Sequence, residues 1–62
     1  MTIGDNIRRF RKREGLTQQQ LGDKLGVSQS AIGQFEKGTS LKIETIQKIA
    51  AALKISVTAL LA

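Results

Sequence analysis

The chain has 62 residues, a length that allows one small domain, and it contains neither cysteine nor histidine. Disulfides and thiolate or imidazole metal ligands are therefore excluded. The chain also lacks tyrosine and tryptophan, and its five carboxylates are scattered. This composition argues against an enzyme, a bound metal or cofactor, or a small-molecule substrate. Ten Lys and Arg residues against five Asp and Glu residues give a net charge of +5, which favours an anionic partner, with nucleic acid ahead of a membrane surface.

The first predicted helix extends from about Ile3 to Glu14 and ends at Gly15, which adopts a left-handed conformation at little cost. Its apolar residues have the i, i+4, i+7 spacing of a buried stripe: Ile3, Ile7 and Phe10. Five of the ten positive charges fall in its segment RRFRKR, residues 8–13. This run is either a solvated helix face or part of a surface that attracts phosphate.

Two shorter helices follow, each introduced by a hydroxyl residue suited to capping a helix N terminus. The second covers about residues 17–25, with Thr17 as N-cap and Gly26 after it, and the third covers about residues 28–36, with Ser28 as N-cap. The expected inward side chains are Leu21, Leu25, Ala31, Ile32 and Phe35, and Val27 joins Leu25 and Ile32 in fixing the angle between the helices. A helix, a tight glycine turn and a second helix form the outline of a helix-turn-helix.

The fourth helix is predicted from about Leu41 to Leu53, with Ser40 as its cap and with inward side chains Ile43, Ile46, Ile49, Ala50 and Leu53. A last short helix follows Ser56, and its Leu60 and Leu61 are expected to close the core. Because the loops are short and no linker is evident, the sequence predicts one compact all-α domain of five helices, residues 1–62. The longest apolar run, residues 49–53, is too short for a membrane span or a signal peptide, so the expected location is the cytoplasm.

The outward face of the third helix is largely uncharged, although an ordinary solvent-exposed face carries Glu and Lys. Its outward positions are Gln29, Ser30, Gly33, Gln34 and Lys37. A glutamine amide matches the donor and acceptor of adenine in the DNA major groove, and such a bidentate pair discriminates by ~1–3 kcal/mol. Gly33 removes side-chain bulk, which would allow close approach. The alternative interpretation is an inert polar surface.

The beginning of the second helix is a candidate phosphate site, because its first backbone N–H groups lack intrahelical acceptors and lie at the positive end of the helix dipole. Thr17 begins this site, and the Gln18 side chain can add a hydrogen bond. The two glutamines that follow are interpreted as ordinary helix formers. Two lysines flank the loop after the third helix and are either phosphate contacts or solvated surface: Lys37 and Lys42.

Four motifs occur in order along the chain: LTQQQL (16–21), LGVSQSAI (25–32), EKG (36–38) and IAAALKIS (49–56). Their order and spacing resemble the phage repressor/Cro (XRE-like) helix-turn-helix family over essentially the whole chain. The resemblance implies a lambda-repressor-like domain that binds double-stranded DNA with its third helix as the recognition helix. It assigns base-reading positions to Ser28, Gln29, Ser30 and Gln34.

The resemblance also assigns a phosphate contact to Gln18 and a partly buried ion pair to Arg11 and Glu36, between the first helix and the end of the recognition helix. The helical wheel independently places Arg11 beside the buried stripe of the first helix. Because it carries a positive charge near this surface, Arg11 is a further candidate for contact with phosphate.

The chain departs from the family pattern in the loop before the fourth helix. This loop is short and lacks the proline that many members have near Leu41. Leu41, Lys42 and Glu44 stand where some relatives have several basic residues, so Lys42 is the remaining candidate for a backbone contact from this loop. Phe35 stands where many members have tryptophan or leucine, which changes packing only.

Together these features predict a sequence-specific transcriptional regulator, repressor- or Cro-like, encoded by a bacterium or phage and associated with the nucleoid. Family members generally bind two-fold operators as dimers with half-sites about one helical turn (~34 Å) apart, so a homodimer is expected at least on DNA. The chain is either a small Cro-like protein or an excised amino-terminal domain. The alternative function is a protein-interaction module, an antitoxin or adaptor, on the same fold. Membrane-surface binding ranks third, because folding withdraws the apolar stripe of the first helix from lipid.

Overall fold

The computed structural model describes residues 2–39 and 41–62, which form five helices and, over these ranges, no strand. The helices are α1 (Ile3–Arg13), α2 (Gln18–Leu25), α3 (Gln29–Glu36), α4 (Ile43–Ala52) and α5 (Val57–Leu61). Helix α1 packs against α3 and α5, helix α2 packs against α3 and α4, and α4 also contacts α5. The all-α, five-helix architecture predicted from the sequence is confirmed.

Hydroxyl side chains begin four of the five helices. The side chains of Thr2, Thr17, Ser28 and Ser56 each accept a hydrogen bond from the backbone N–H three residues later, which satisfies a donor that the helix itself cannot pair. At α2 the pairing is reciprocal, because the Thr17 backbone N–H donates to Oε1 of Gln20 at 2.8 Å. Gln20 therefore caps the helix, in addition to the helix-forming role that its sequence predicts.

The turn between α2 and α3 is closed by Gly26, whose φ of 73° lies in the left-handed region. The next backbone N–H, that of Val27, donates to the carbonyl oxygen of Gly22 at 2.9 Å. After α4, the left-handed position is filled by a lysine instead, Lys54, with φ 60°. Glycine adopts this conformation at no steric cost, whereas a residue with a Cβ is strained in it.

Every helix supplies at least one side chain to the buried core, and the C-cap residue of α4, Leu53, adds another. The core consists of eight side chains: Ile7, Leu21, Ile32, Phe35, Ile49, Ala50, Leu53 and Leu60. Complete burial of a side chain such as Ile or Leu stabilises the fold by ~1.5–3 kcal/mol relative to exposure. The buried polar or charged residues of the described chain are Asn6 and Arg11. Nδ2 of Asn6 donates to the carbonyl oxygen of Leu60 at 2.9 Å, which joins α1 to α5.

The fourth helix differs from the sequence prediction at its beginning. It starts at Ile43 rather than Leu41, with Lys42 as an N-cap residue whose side chain makes no capping bond. The predicted cap, Ser40, lies outside the described residues. Ile43 was expected to face inward, but its side chain is 74% exposed. It shares a helix face with Ile46, yet it occupies the first position of the helix, where no neighbouring element covers it.

Two further expectations about the core are wrong. Leu61 is 57% exposed while Leu60 is completely buried, because successive helix residues point about 100° apart and cannot both face one core. Val27 is 37% exposed, so its side chain does not lock α2 against α3. The lock is made by the buried side chain of Ile32 and by the Val27 backbone. Among the described residues no helix is long and apolar enough to cross a membrane.

Candidate nucleic-acid interface

Helix α3 has one buried face and one face without partners. Ile32 and Phe35 are buried against the core, whereas Gln29, Ser30 and Gln34 are exposed. Over the part of the chain that the structure describes, the side chains of these three residues make no hydrogen bond. Amide and hydroxyl groups of this kind are left with their full hydrogen-bonding capacity, which is what direct reading of base edges requires.

At the N terminus of α3, the exposed Ser28 lies next to the first backbone N–H groups of the helix. Oγ of Ser28 accepts from the backbone N–H of Ala31 at 3.1 Å, so its hydroxyl proton stays free to be donated. Thr17 makes the equivalent capping bond at the start of α2, from the N–H of Gln20 at 3.0 Å. Both helix N termini therefore retain backbone N–H donors for an anion.

The position of α3 relative to α2 depends on Gly22. A Cβ atom at this glycine would lie 2.7 Å from the carbonyl oxygen of Val27 and 3.3 Å from the backbone of Ser28. Since real Cβ contacts are essentially never so short, α2 approaches the turn this closely only because residue 22 has no side chain. In the sequence Gly22 is only a glycine inside a helix, and this signal does not show which backbone approaches it.

The position of α3 relative to α1 depends on Gly4 in the same way. A Cβ atom there would lie 2.3 Å from the carbonyl oxygen of Glu36, at the end of α3, and 3.1 Å from the backbone nitrogen of Gly38. The first turn of α1 is therefore pressed directly against the C-terminal end of the proposed recognition helix. This residue was also missed by the sequence analysis.

An ion pair reinforces the junction between α1 and α3. Nε of Arg11 donates to Oε2 of Glu36 at 2.5 Å, and the side chains of the two residues are only 10% and 7% exposed. Nη1 of Arg11 donates to the carbonyl oxygen of Leu16 at 2.8 Å, just before α2. The pair that the sequence resemblance implies is thus present, and it fixes α3 to both of its neighbours.

Gln18 extends this network to the first turn of α2. Its Nε2 atom donates to Oε1 of Glu36 at 3.2 Å, and the same atom lies 3.9 Å from where a Cβ of Gly33 would be. The Gln18 side chain therefore crosses from the N terminus of α2 to the edge of the exposed face of α3. Its amide keeps one further N–H donor, since only one is used by Glu36.

An open groove of about 440 Å³ borders the face of α3 on the side of α1. Two exposed cations, Arg8 and Lys37, line it, and Arg11 lines it in its ion pair with Glu36. The remaining lining residues are Asp5, Gln18 and Gly33. Arg8 was part of the basic run in the sequence but was not singled out there. Lys42 does not line this groove. It lies exposed at the N terminus of α4.

The helices of this chain match a known protein family. The profile of a helix-turn-helix family matches residues 7–60, which is most of the chain and includes α2, the turn and α3. The chain belongs to this helix-turn-helix family. The matched segment contains α2, the glycine turn and α3, in agreement with the family resemblance of the sequence.

Relatives of this helix-turn-helix domain include named regulators. The HTH-type transcriptional regulator SinR of Bacillus subtilis is 34% identical over 61 residues, and the immunity repressor protein of Bacillus phage phi105 is 36% identical over 61 residues. The alignments cover 95% and 97% of this chain, but only 55% and 42% of those two proteins. The chain therefore spans about half the length of these relatives.

Two solved structures have closely similar folds. The P22 c2 repressor in complex with a synthetic operator superposes with a TM-score of 0.88 at 35% identity, covering 98% of this chain and 94% of that one. SinR in complex with DNA superposes with a TM-score of 0.85 at 33% identity, covering 95% and 97% of the two chains. The five-helix fold is thus shared with domains that have been solved on DNA.

Proposed function

We propose that this helix-turn-helix domain is the sequence-specific DNA-binding domain of a transcriptional regulator, and that it reads the major groove with α3. The observation that carries the proposal is the exposed face of α3. Its side chains are capable of hydrogen bonding but have no partner within the described residues. The helix that carries them is held against α1 by the ion pair of Glu36 with Arg11 and by the close contact at Gly4. Rigid presentation of unpaired donors and acceptors is what direct readout requires.

Base reading is assigned to Ser28, Gln29, Ser30 and Gln34. Gln29 is the strongest candidate, since it stands in the first turn of α3, and the N-terminal residues of a recognition helix reach furthest into the groove. Its amide can pair with N6 and N7 of adenine, whereas the serine hydroxyls can donate to or accept from several base edges. No carboxylate lies on this face to repel phosphate.

Phosphate contacts are assigned to the N terminus of α2 and to flanking cations. The free backbone N–H groups after Thr17 and the remaining Gln18 amide proton form the first contact. Lys37 and Arg8 supply charge in the same groove as Gln18, and Lys42 lies outside that groove, exposed at the N terminus of α4. Such contacts position a protein on the duplex without reading its sequence.

Arg11 takes a positioning role in this proposal rather than a direct one. Its guanidinium group is buried and donates to Glu36 and Leu16, so most of its hydrogen-bonding capacity is already used. It acts on DNA through the orientation of Glu36 and, beyond it, of Gln18.

Assembly on DNA is proposed to be two-fold. One domain of 62 residues offers few contacts with DNA, and a helix-turn-helix dimer gains a second half-site about 34 Å away along the duplex. Two of the similar solved domains are in complex with operator or DNA. Binding to the chromosome or to phage DNA would place the protein in the cytoplasm at the nucleoid.

The proposal is tested by selection of bound sites from random duplexes, followed by affinity measurements over a range of salt concentrations. We expect an enriched site with two related halves separated by one helical turn. For about four to six phosphate contacts in each protomer, log affinity falls with log salt concentration at a slope of roughly −4 to −5 per half-site. Equal affinity for selected and random duplexes would overturn specific binding, and a flat salt dependence would favour a protein-interaction module.

The phosphate assignments are tested by Lys37→Ala in the same assay. Because a phosphate contact carries no sequence information, we expect weaker binding to all duplexes and a salt slope smaller in magnitude by about 1. The relative order of selected sites should stay unchanged. An unaltered slope would remove Lys37 from the phosphate contacts.

A further inference from the structure

A second groove lies on helices that do not carry the proposed base-reading face. It has a volume of about 580 Å³ and is lined by Lys24, Leu25, Lys48, Ala51, Ala52 and Lys54. These residues belong to the C-terminal ends of α2 and α4 and to the turn after α4, and none of them belongs to α1 or α3. We call it the lysine groove. It shares no lining residue with the groove beside α3.

The charge of the lysine groove is unbalanced. Three of its six lining residues are lysines and none is acidic. Within the described part of the chain, none of these three ammonium groups forms an ion pair or a hydrogen bond. The remaining lining is apolar and consists of Leu25, Ala51 and Ala52. The lining therefore combines three unpaired positive charges, which we call the rim, with three apolar residues, which we call the floor.

The backbone at Lys54 has a conformation that glycine adopts elsewhere in this chain. The left-handed positions at the ends of α1, α2 and α3 are all filled by glycine, with φ between 72° and 86°. Lys54 is the one non-glycine residue with positive φ in the described chain. Left-handed backbone costs an L-residue roughly 1–2 kcal/mol, so the fold alone favours glycine here.

We propose that the lysine groove binds an acidic, partly apolar segment of a partner protein. Carboxylates of the partner would pair with Lys24, Lys48 and Lys54, while one or two apolar side chains would lie on the floor formed by the leucine and the alanines. Charge complementarity of this kind selects partners and steers their association. Because the groove lies apart from α3, the partner can bind while the domain occupies DNA.

A protein segment fits the lysine groove better than nucleic acid does. Single-stranded nucleic acid binds where aromatic side chains stack on its bases, and neither phenylalanine of the chain lines this groove. The phosphate backbone of a duplex would use the lysines but would leave the apolar floor exposed to water. An acidic segment with interspersed leucines uses both.

The test is a titration followed by NMR amide shifts of the whole 62-residue chain. The probe is a 12-residue peptide in which Asp and Glu alternate with Leu and Ala, and the control peptide replaces each Asp and Glu by Asn and Gln. We expect shifts at the ends of α2 and α4 with the acidic peptide and none of comparable size with the amide peptide. Equal shifts with both peptides would overturn the role of the lysines.

Two lysine variants with the same change in net charge separate groove binding from general attraction. Lys48→Gln removes a rim charge, whereas Lys12→Gln removes an exposed charge on α1, outside the groove. We expect Lys48→Gln to lower the affinity for the acidic peptide about fivefold, the effect of losing one exposed ion pair. Lys12→Gln should change this affinity little. Equal weakening by both variants would overturn the proposal.

Lys54→Gly distinguishes a binding role from a structural one. It removes a rim charge and relieves the left-handed strain at the same time, so we expect a higher melting temperature together with weaker peptide binding. A loss of both stability and binding would show that Lys54 serves the fold, against the proposal. A separate titration uses a 16-base-pair DNA duplex as the probe. If the duplex shifts amide signals in the lysine groove instead of those of α3, the groove is a nucleic-acid surface and the proposal is overturned.

Discussion

The two sides of α3 differ in how firmly the rest of the domain holds them. On its inner side and at its C-terminal end, buried side chains, a backbone contact at Gly4 and the ion pair of Arg11 and Glu36 fix the helix. On its outer side, Gln29, Ser30 and Gln34 are exposed, and their side chains make no hydrogen bond within the described structure. Changes on the inner side should therefore alter folding, and changes on the outer side should alter recognition with little effect on stability.

The largest effect is expected from breaking the ion pair. Arg11→Met leaves the carboxylate of Glu36 buried without its cation, and loss of one partner of a buried pair costs ~3–5 kcal/mol of the free energy of unfolding. Urea denaturation measures this loss. The control is the double variant Arg11→Met with Glu36→Leu, which should recover much of the stability because no buried charge remains unpaired. An Arg11→Met protein as stable as the parent would show that the inner side is not fixed in this way.

The next effect is expected from Gly4→Ala. The added methyl group would lie 2.3 Å from the carbonyl oxygen of Glu36, so α1 and α3 must move apart. We expect a loss of ~1–3 kcal/mol of unfolding free energy, typical of overpacking, although alanine is the better helix former. DNA affinity should fall with it, because α3 loses its fixed position against α1. A stability gain on this substitution would contradict the close approach of the two helices.

A smaller and different effect is expected from Gln29→Ala on the outer side. The unfolding free energy should stay within about 0.5 kcal/mol of the parent value, since Gln29 is exposed and has no partner. Discrimination at one base pair should fall by ~1–3 kcal/mol, measured against duplexes that vary at that position. Unchanged preference at every position of the selected site would remove Gln29 from the base-reading residues.

The smallest effect is expected from Gly33→Ala, which makes the same change as Gly4→Ala in a different place. A Cβ at Gly33 would have only Nε2 of Gln18 near it, at 3.9 Å. The protein itself therefore accommodates alanine, and the unfolding free energy should rise by up to ~1 kcal/mol from helix propensity. If Gly33 allows α3 to approach DNA closely, affinity for the selected site should fall despite this gain. Unchanged affinity would leave Gly33 without a role in binding.

The contrast between these two glycines also shows what the sequence can predict. Cap residues and apolar spacing predicted where α2 and α3 begin and end, because those signals are local. A glycine inside a helix, however, gives the same signal at Gly4, Gly22 and Gly33. Gly4 and Gly22 are required by the fold because the backbone of another segment lies close to each of them. No such backbone lies close to Gly33 within the described residues. The prediction that Ile43 faces inward was wrong for a related reason. Periodicity shows which face of a helix a side chain lies on, but it does not show whether a neighbouring helix extends far enough to cover that side chain.

In the candidate site, too, local features were predictable from the sequence and contacts between distant segments were not. The exposed face of α3 was predictable from residue type and spacing, and the ion pair of Arg11 and Glu36 was predictable through the family resemblance. The bond between Gln18 and Glu36, and the grooves beside α3 and α4, depend on side chains that are distant in sequence. No periodic pattern in a single sequence contains that information.

The bond between Asn6 and the carbonyl oxygen of Leu60 bears on the order in which the domain assembles. Helix α5 has five residues, too few to be stable in isolation. It can persist only once α1 presents Asn6 and the core is formed, so the two ends of the sequence should become protected together. The amide protons of α1 and α5 are therefore expected to exchange with solvent as one cooperative unit, although 54 positions separate the two residues that join them.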